Sequence, residues 1–238
     1  MIVKKTRLLQ LLVTILVIGF NTLVFGQKTN NSPGVVSGNV SIMVQQYNTD
    51  EDIGAVAPPQ KIAMNAFSNI LYRNGKFYFG LRIESYNPSL LGYPAGFNGT
   101  GIGYLFGTFA TDQLSVTAGT FYEQFGSGMI LRTYEDNNLG IDNSIVGIRV
   151  KYNAGKGVYL KGVYGTQRLR FDSKIITGPG IVRGFDAEWQ INDAFPVLAS
   201  NKFKYIVGGS FVSKFQDDKS PDLILPENVG SGAGRFSL

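Results

Sequence analysis

Glu123 and Arg132 flank a Phe125-Gly126-Ser127-Gly128 segment, and a carboxylate beside a guanidinium is able to hold a polar solute. More commonly it is an ion pair, because charges inside a protein need partners. The other charges with informative spacing recur at alternate positions: Arg82 and Glu84, Arg149 and Lys151, Lys161, Asp186 and Glu188. A period of two puts each such pair on one face of a strand. Asp186 and Glu188 are carboxylates on one face, but glycoside hydrolysis needs two at a set separation across a bond, and no pair is singled out for that work. The chain contains no His and no Cys. Ser-His-Asp hydrolysis, His-ligated zinc, thiolate metal sites and cysteine nucleophiles are thereby excluded. Asp50-Glu51-Asp52 and Asp217-Asp218 lack the spaced ligand pattern of a calcium loop. Gly101-x-Gly103 is followed by no helix and is not a dinucleotide fingerprint. The sequence therefore predicts no enzyme, no catalytic or metal-binding residue and no cofactor; what remains is non-covalent handling of polar solutes or partners.

The elements that position these charges read as strands. Among 238 residues there are 30 Gly, 17 Phe and 12 Tyr, a composition that leans towards β architecture. Alternating apolar and polar residues predict strands over Val35–Tyr47, Lys61–Arg73, Lys76–Tyr86, Gly101–Ala110, Leu114–Tyr134, Ser144–Tyr152, Val158–Gln167, Gly180–Asn192 and Lys202–Phe215,. A tenth begins at Ser231–Leu238. Asn74-Gly75 predicts a two-residue type I′ hairpin, because both residues accept positive φ.

The connections alternate in length. Asn48–Gln60, Asn87–Thr100, Asp136–Asn143, Arg168–Pro179 and Gln216–Gly230 are long and polar, whereas Asn74-Gly75, Thr111–Gln113 and Asn153–Gly157 are tight turns and Asp193–Asn201 is intermediate. A transmembrane β-barrel whose first strand rises from the periplasm requires long loops and short turns to take turns in this parity. Strand lengths agree, since crossing hydrocarbon at a tilt takes about 9–11 residues. The expected fold is all-β, an antiparallel up-and-down transmembrane β-barrel. A secreted or surface-attached β-sandwich binding glycan or protein is the alternative, but nothing in a sandwich requires the loop lengths to alternate.

On the barrel reading Phe77, Phe79, Leu81, Ile83, Val146, Ile148, Val150, Val158 and Leu160 face lipid. Arg82, Glu84, Arg149, Lys151, Lys161, Asp186, Glu188 and Lys204 face the lumen with Glu123 and Arg132, because a charge facing lipid at the midplane costs about 2–4 kcal/mol. Tyr47, Tyr72, Tyr86, Tyr134 and Tyr152 at strand ends fit an aromatic girdle. Within Leu114–Tyr134 the phase changes: Leu114, Val116 and Ala118 are even, whereas Phe125, Met129 and Leu131 are odd. An odd shift requires a bulge or an inward fold near Glu123–Gly128, marked by Gly126 and Gly128. The upper part of this strand is expected to extend above the bilayer.

Residues 1–26 read as a cleaved signal peptide, with Lys4, Lys5 and Arg7 before an apolar run and Val24-Phe25-Gly26 before the cut,. Residues 27–34 form a short polar lead and 35–238 the barrel domain. Loss of those three basic residues takes the chain from a net charge of +5 to 19 basic against 17 acidic residues. That balance offers nothing to nucleic acid.

Phe121-Tyr-Glu-Gln-Phe-Gly-Ser-Gly-Met-Ile-Leu-Arg-Thr-Tyr-Glu135, with the LGIDNSIVGIRVKY and GVYLKGVYG runs that follow, resembles a family of uncharacterised exported proteins from Bacteroidota that are predicted outer-membrane barrels. The similarity spans Gly38 to Gly165 and is most specific over Phe121–Arg132. The resemblance implies a fold and a compartment, the outer membrane of a Gram-negative bacterium, and transfers no site residue. Members of that family are typically longer than this chain. Nine strands and the start of a tenth make an incomplete barrel, so the chain is expected to be the N-terminal portion of a larger one. The expected partners are membrane lipid and other envelope proteins, in a porin-like channel or an accessory component of an envelope secretion or assembly system.

Overall fold

The computed structural model describes residues 34–94, 96–168, 171, 180–215 and 228–237. The expected signal peptide, nearly all of the polar lead, most of the loops Arg168–Pro179 and Gln216–Gly230, and Asp217-Asp218 lie outside the described residues. Ten strands form one antiparallel sheet: β1 (Val35–Gln46), β2 (Ile62–Asn74), β3 (Phe77–Tyr86), β4 (Gly99–Ala110), β5 (Leu114–Phe121), β8 (Ile145–Gly155), β9 (Val158–Gln167), β10 (Ile181–Gln190), β11 (Ile206–Phe215) and β12 (Asn228–Ser237). Each pairs with its neighbour in that order, and β1 and β12 are the two edges, so the sheet is not closed into a barrel. A separate two-stranded ladder, β6 (Glu135–Asp136) with β7 (Ile141–Asp142), lies between β5 and β8.

Alternation along each strand dictates the two faces, and the registers align them. Val116 pairs with Val150, Val150 with Gly162, Gly162 with Phe185 and Phe185 with Phe211. The adjacent row carries Lys151, Lys161, Asp186 and Ser210 on the opposite face. The apolar face is bare: Phe77, Phe79, Ile83, Ile148, Tyr164, Phe185 and Phe211 are each between 41% and 55% exposed. Among the described positions of this face the one charge is Arg183, the third residue of β10 from its loop end, beside Tyr164 and Ser213.

The sheet curls around its polar face. From β3 to β9 there are four strand steps, roughly 19 Å in a flat sheet at about 4.8 Å per step. Arg168, just after β9, nevertheless bonds Glu84 of β3 at 2.6 Å. The enclosed space holds two apolar clusters. One comprises Phe121, Phe125, Leu131, Ile145, Val163, Val182 and Val212; the other comprises Phe67, Tyr86, Phe97 and Phe171, with Met43 and Tyr93 against it.

Four sequence expectations change. β5 stops at Phe121, so residues 122–134 are not a strand continuing upward. The turn after β2 is Gly75-Lys76, since Asn74 is still paired with Phe77; only Gly75 has positive φ, the pattern of a type II′ rather than a type I′ turn. Tyr86 is 2% exposed and turned inward against Phe67 and Phe97, and Tyr134 lies off the strands under Arg132, so neither belongs to a girdle. Lys204 lies before β11, where its Nζ donates to the Ala199 carbonyl. It caps a turn built from two short helices, α1 (Ile191–Ala194) and α2 (Pro196–Ala199). That turn is organised by buried Asn192, whose Nδ2 donates to the carbonyls of Leu198 and Phe203. Among the described residues no helix is long and apolar enough to cross a membrane.

Candidate functional site

Residues Tyr122–Tyr134 leave the end of β5 and fold inward across the polar face. The segment doubles back on itself: Thr133 N donates to the Glu123 carbonyl at 2.9 Å and Phe125 N to the Leu131 carbonyl at 3.0 Å. Its tip reverses at Gly126 and Gly128, with φ of +52° and +88°, values that a residue with a Cβ adopts only at a cost. The phase break in the sequence is this inward fold. Two strand partners would otherwise oppose one residue, and here the chain leaves the sheet instead.

Phe125 seats the segment. Its ring enters the cluster of Phe121, Ile145, Val163, Val182 and Val212 and packs where Gly184 of β10 has no side chain; a Cβ there would lie 2.7 Å from the ring. Charges then hold the segment at three places. At the first, Glu123 faces Lys151 at 2.8 Å, Lys161 at 3.2 Å and Arg149 at 3.6 Å. Arg149 also donates to the Tyr122 carbonyl, and Lys161 to that of Gln124. At the second, the hairpin of β6 and β7 brings Glu135 and Asp142 to Arg82, which Glu84 contacts from its own strand. Arg168 completes this cluster by pairing with both Glu84 and Asp142, and Tyr122 and Tyr86 donate to Asp142 and Glu84. At the third, Arg235 of β12 binds Asp186 at 2.7 Å and Glu188 at 2.9 Å. Its guanidinium lies against Gly126, where a Cβ would come within 2.7 Å of Nη1.

Arg82, Glu84, Arg149, Lys151, Lys161, Asp186 and Glu188 thus share the concave face, and the inward segment brings Glu123 to three of them. Arg132 does not join: it is exposed, its guanidinium lies 5.1 Å from the Tyr134 ring centroid, and Glu123 pairs with Arg149, Lys151 and Lys161 instead. The expected Glu123–Arg132 pair is replaced because the turn points the two side chains to different sides. Sequence reasoning missed Glu135, Asp142, Arg168 and Arg235. The first three lie in connections with no periodicity to read. Arg235 shares the inward parity of Ser231 and Ala233 on β12, and that alternation was its one signal.

Burial, opposed by more than it contributes, acts to raise the pKa of Glu123; the hydrogen bond and charge of Lys151, with Lys161, pull it below the ordinary glutamate range. Burial and the Asp142 charge push the Tyr122 hydroxyl up. Burial opposes the Arg168 cation, but the Glu84 hydrogen bond and the Asp142 charge outweigh it and raise its pKa. Because the folded-state value of Glu123 is depressed, its clamp stabilises the segment at pH above the unfolded glutamate value and is lost as pH falls through the folded value. The expected result is acid release of the tip. The chain has no native cysteine, so a nitroxide attached at neutral pH to a Ser127→Cys variant, at the exposed tip, reads this release as a sharpening of its spectrum once pH falls below about pH 4.3. In a Glu123→Gln background the label should be mobile at every pH; equal mobility at pH 7 with and without Glu123 would show that the clamp holds nothing.

Cation pairing, apolar seating and a buried ion network together hold the inward segment inside the curled sheet. Among the described residues no group of three or more acidic side chains is placed to hold a metal ion. No curated protein and no solved structure matches the chain. It matches the family described as Family of unknown function (DUF6029) over residues 3–238, and it belongs to that family.

Proposed function

We propose that the chain is an outer-membrane β-barrel protein of a Gram-negative bacterium, of the kind found in Bacteroidota, exported by a cleaved signal peptide and acting without enzymatic chemistry. Its role is that of a plugged, porin-like channel or an accessory component of an envelope secretion or assembly system, in which residues 122–134 are the plug. The observation that carries this reading is the sidedness of the sheet. One face presents rows of bare Phe, Tyr, Ile and Val, while the charges of the opposite face are paired with one another. In water such an apolar face is costly, because burying one large apolar side chain is worth about 1.5–3 kcal/mol. In hydrocarbon the cost disappears. Arg183 at the loop end is placed where a snorkelling guanidinium reaches headgroups. A β-sandwich buries its apolar faces between two sheets, and the described strands form one large sheet with that face uncovered.

Detergent dependence tests the reading. The mature chain should require detergent or bilayer to stay monodisperse; purification as a soluble monomer without detergent would overturn it. In planar bilayers a channel gives discrete conductance, and silence of the intact protein together with its Phe125→Ala variant would assign the scaffold role.

A further inference from the structure

We propose that the concave groove between β1, β2 and β4, beside the plug, is a binding site for a neutral saccharide. The cavity has a volume of about 400 Å³, within the 300–1,000 Å³ typical of small-molecule sites. It is lined by Asn39 of β1, Asn69 of β2, Arg82 of β3, Tyr104 and Phe106 of β4, and Tyr122 of the plug.

Aromatic rings line one side of the cavity. Phe106 pairs with Gly80 across the strands and its ring lies directly on that glycine, where a Cβ would come within 2.1 Å of the ring edge. The ring is half-buried and lines the groove. Tyr104 braces it edge-on at 5.5 Å and in turn stacks on Tyr122 at 5.6 Å, so the platform is held in place before any ligand arrives. The C–H-rich face of a pyranose carries partial positive charge and matches the negative face of such a ring. Asn39 and Asn69 add carboxamides, which donate and accept in the alternating manner that vicinal hydroxyls require.

Charge limits the ligand class. Arg82 is the groove's one formal charge, and its guanidinium is committed: Nε to Glu84, Nη1 to Glu135, Nη2 to Tyr122 and Asp142. An anion would find no free cation here and a polyamine no free carboxylate. The site stands on the geometry of the concave face and does not depend on the membrane reading.

The test uses the full mature chain in octyl tetraoxyethylene, a detergent without a sugar headgroup, with maltotriose, cellotriose and N-acetylated chitotriose as probes. Saturation-transfer NMR should show at least one trisaccharide bound through its axial C–H protons, and calorimetry should give its affinity. Phe106→Leu, which keeps an apolar side chain on Gly80 but removes the flat face, should weaken binding about tenfold. Asn39→Ala, on an exposed part of β1, should weaken it severalfold with an unchanged unfolding midpoint. Absence of transfer to all three probes, binding of inositol hexakisphosphate or spermine in their place, or full affinity in folded Phe106→Leu would overturn the proposal. Solubility without detergent would overturn the barrel reading and leave this one standing.

Discussion

Arg168→Met is expected to lower the stability of the protein by about 3–5 kcal/mol, the usual consequence of removing one partner from a buried charge cluster. Arg168 is 5% exposed, Glu84 is fully buried, and Asp142 is 9% exposed. With Arg168 present, two guanidiniums face Glu84, Glu135 and Asp142; without it Arg82 alone faces three carboxylates, of which Glu84 and Asp142 are buried and Glu135 is partly exposed. Methionine fills much of the volume, so the loss measures charge rather than packing. The cluster also ties three separate pieces of chain together, namely β3, the hairpin of β6 and β7, and the segment after β9. Its failure should therefore release the loop end of the sheet as a unit. Urea unfolding in detergent, followed by the electrophoretic shift between folded and unfolded forms, measures the effect. The comparison is Arg132→Met: that side chain is exposed and stacks on Tyr134, and its loss should cost less than about 1 kcal/mol. Equal effects of the two changes would mean that the buried cluster contributes no more than a surface contact.

Phe125→Ala is the second large change, with an expected cost of about 3–5 kcal/mol. Phe125 is 2% exposed, and its ring occupies space that no rearrangement of Gly184 is able to fill, since glycine has no side chain to move. The loss has a functional side that Arg168→Met does not share. With its seat empty, residues 122–134 are held by the Glu123 clamp and by their ends. On the channel reading, conductance rises and a nitroxide at Ser127→Cys becomes mobile at neutral pH. Met129→Ala, at a tip residue that is 84% exposed, should leave both stability and conductance unchanged. A Phe125→Ala protein that is less stable but conducts no more than the parent would separate packing from plugging and argue against the channel. Gly184→Val approaches the same contact from the sheet side and should expel the ring with the same consequence for the nitroxide at Ser127→Cys.

Much of this architecture is legible because strand geometry is local. The alternation of Phe77, Phe79, Leu81 and Ile83 against Tyr78, Gly80, Arg82 and Glu84 determines which side chains share a face, whatever the strands pair with. Most strands fall within a few residues of their expected positions, as β2 does at Ile62–Asn74 and β9 at Val158–Gln167. The largest errors are at ends and turns. β10 gives way to α1 at Ile191, and the hairpin after β2 is displaced by one residue, because turn register depends on which residue the partner strand accepts rather than on the best local dipeptide.

The phase break at Glu123–Gly128 was also in the sequence by itself, since no single strand keeps Leu114, Val116 and Ala118 on the same face as Phe125, Met129 and Leu131. What alternation by itself leaves open is the choice between a bulge and an inward fold. The tertiary structure decided it by supplying a glycine seat on β10 and three cations on β8 and β9, all distant in the chain. The same holds for the partners of Glu123. Arg132 is near in sequence, whereas Lys151 and Lys161 reach the carboxylate only because the segment folds inward over β8 and β9. Side-chain sidedness is a property of neighbouring residues and survives in one dimension; ion pairing across a concave face depends on curvature, and curvature exists only once the strands have paired.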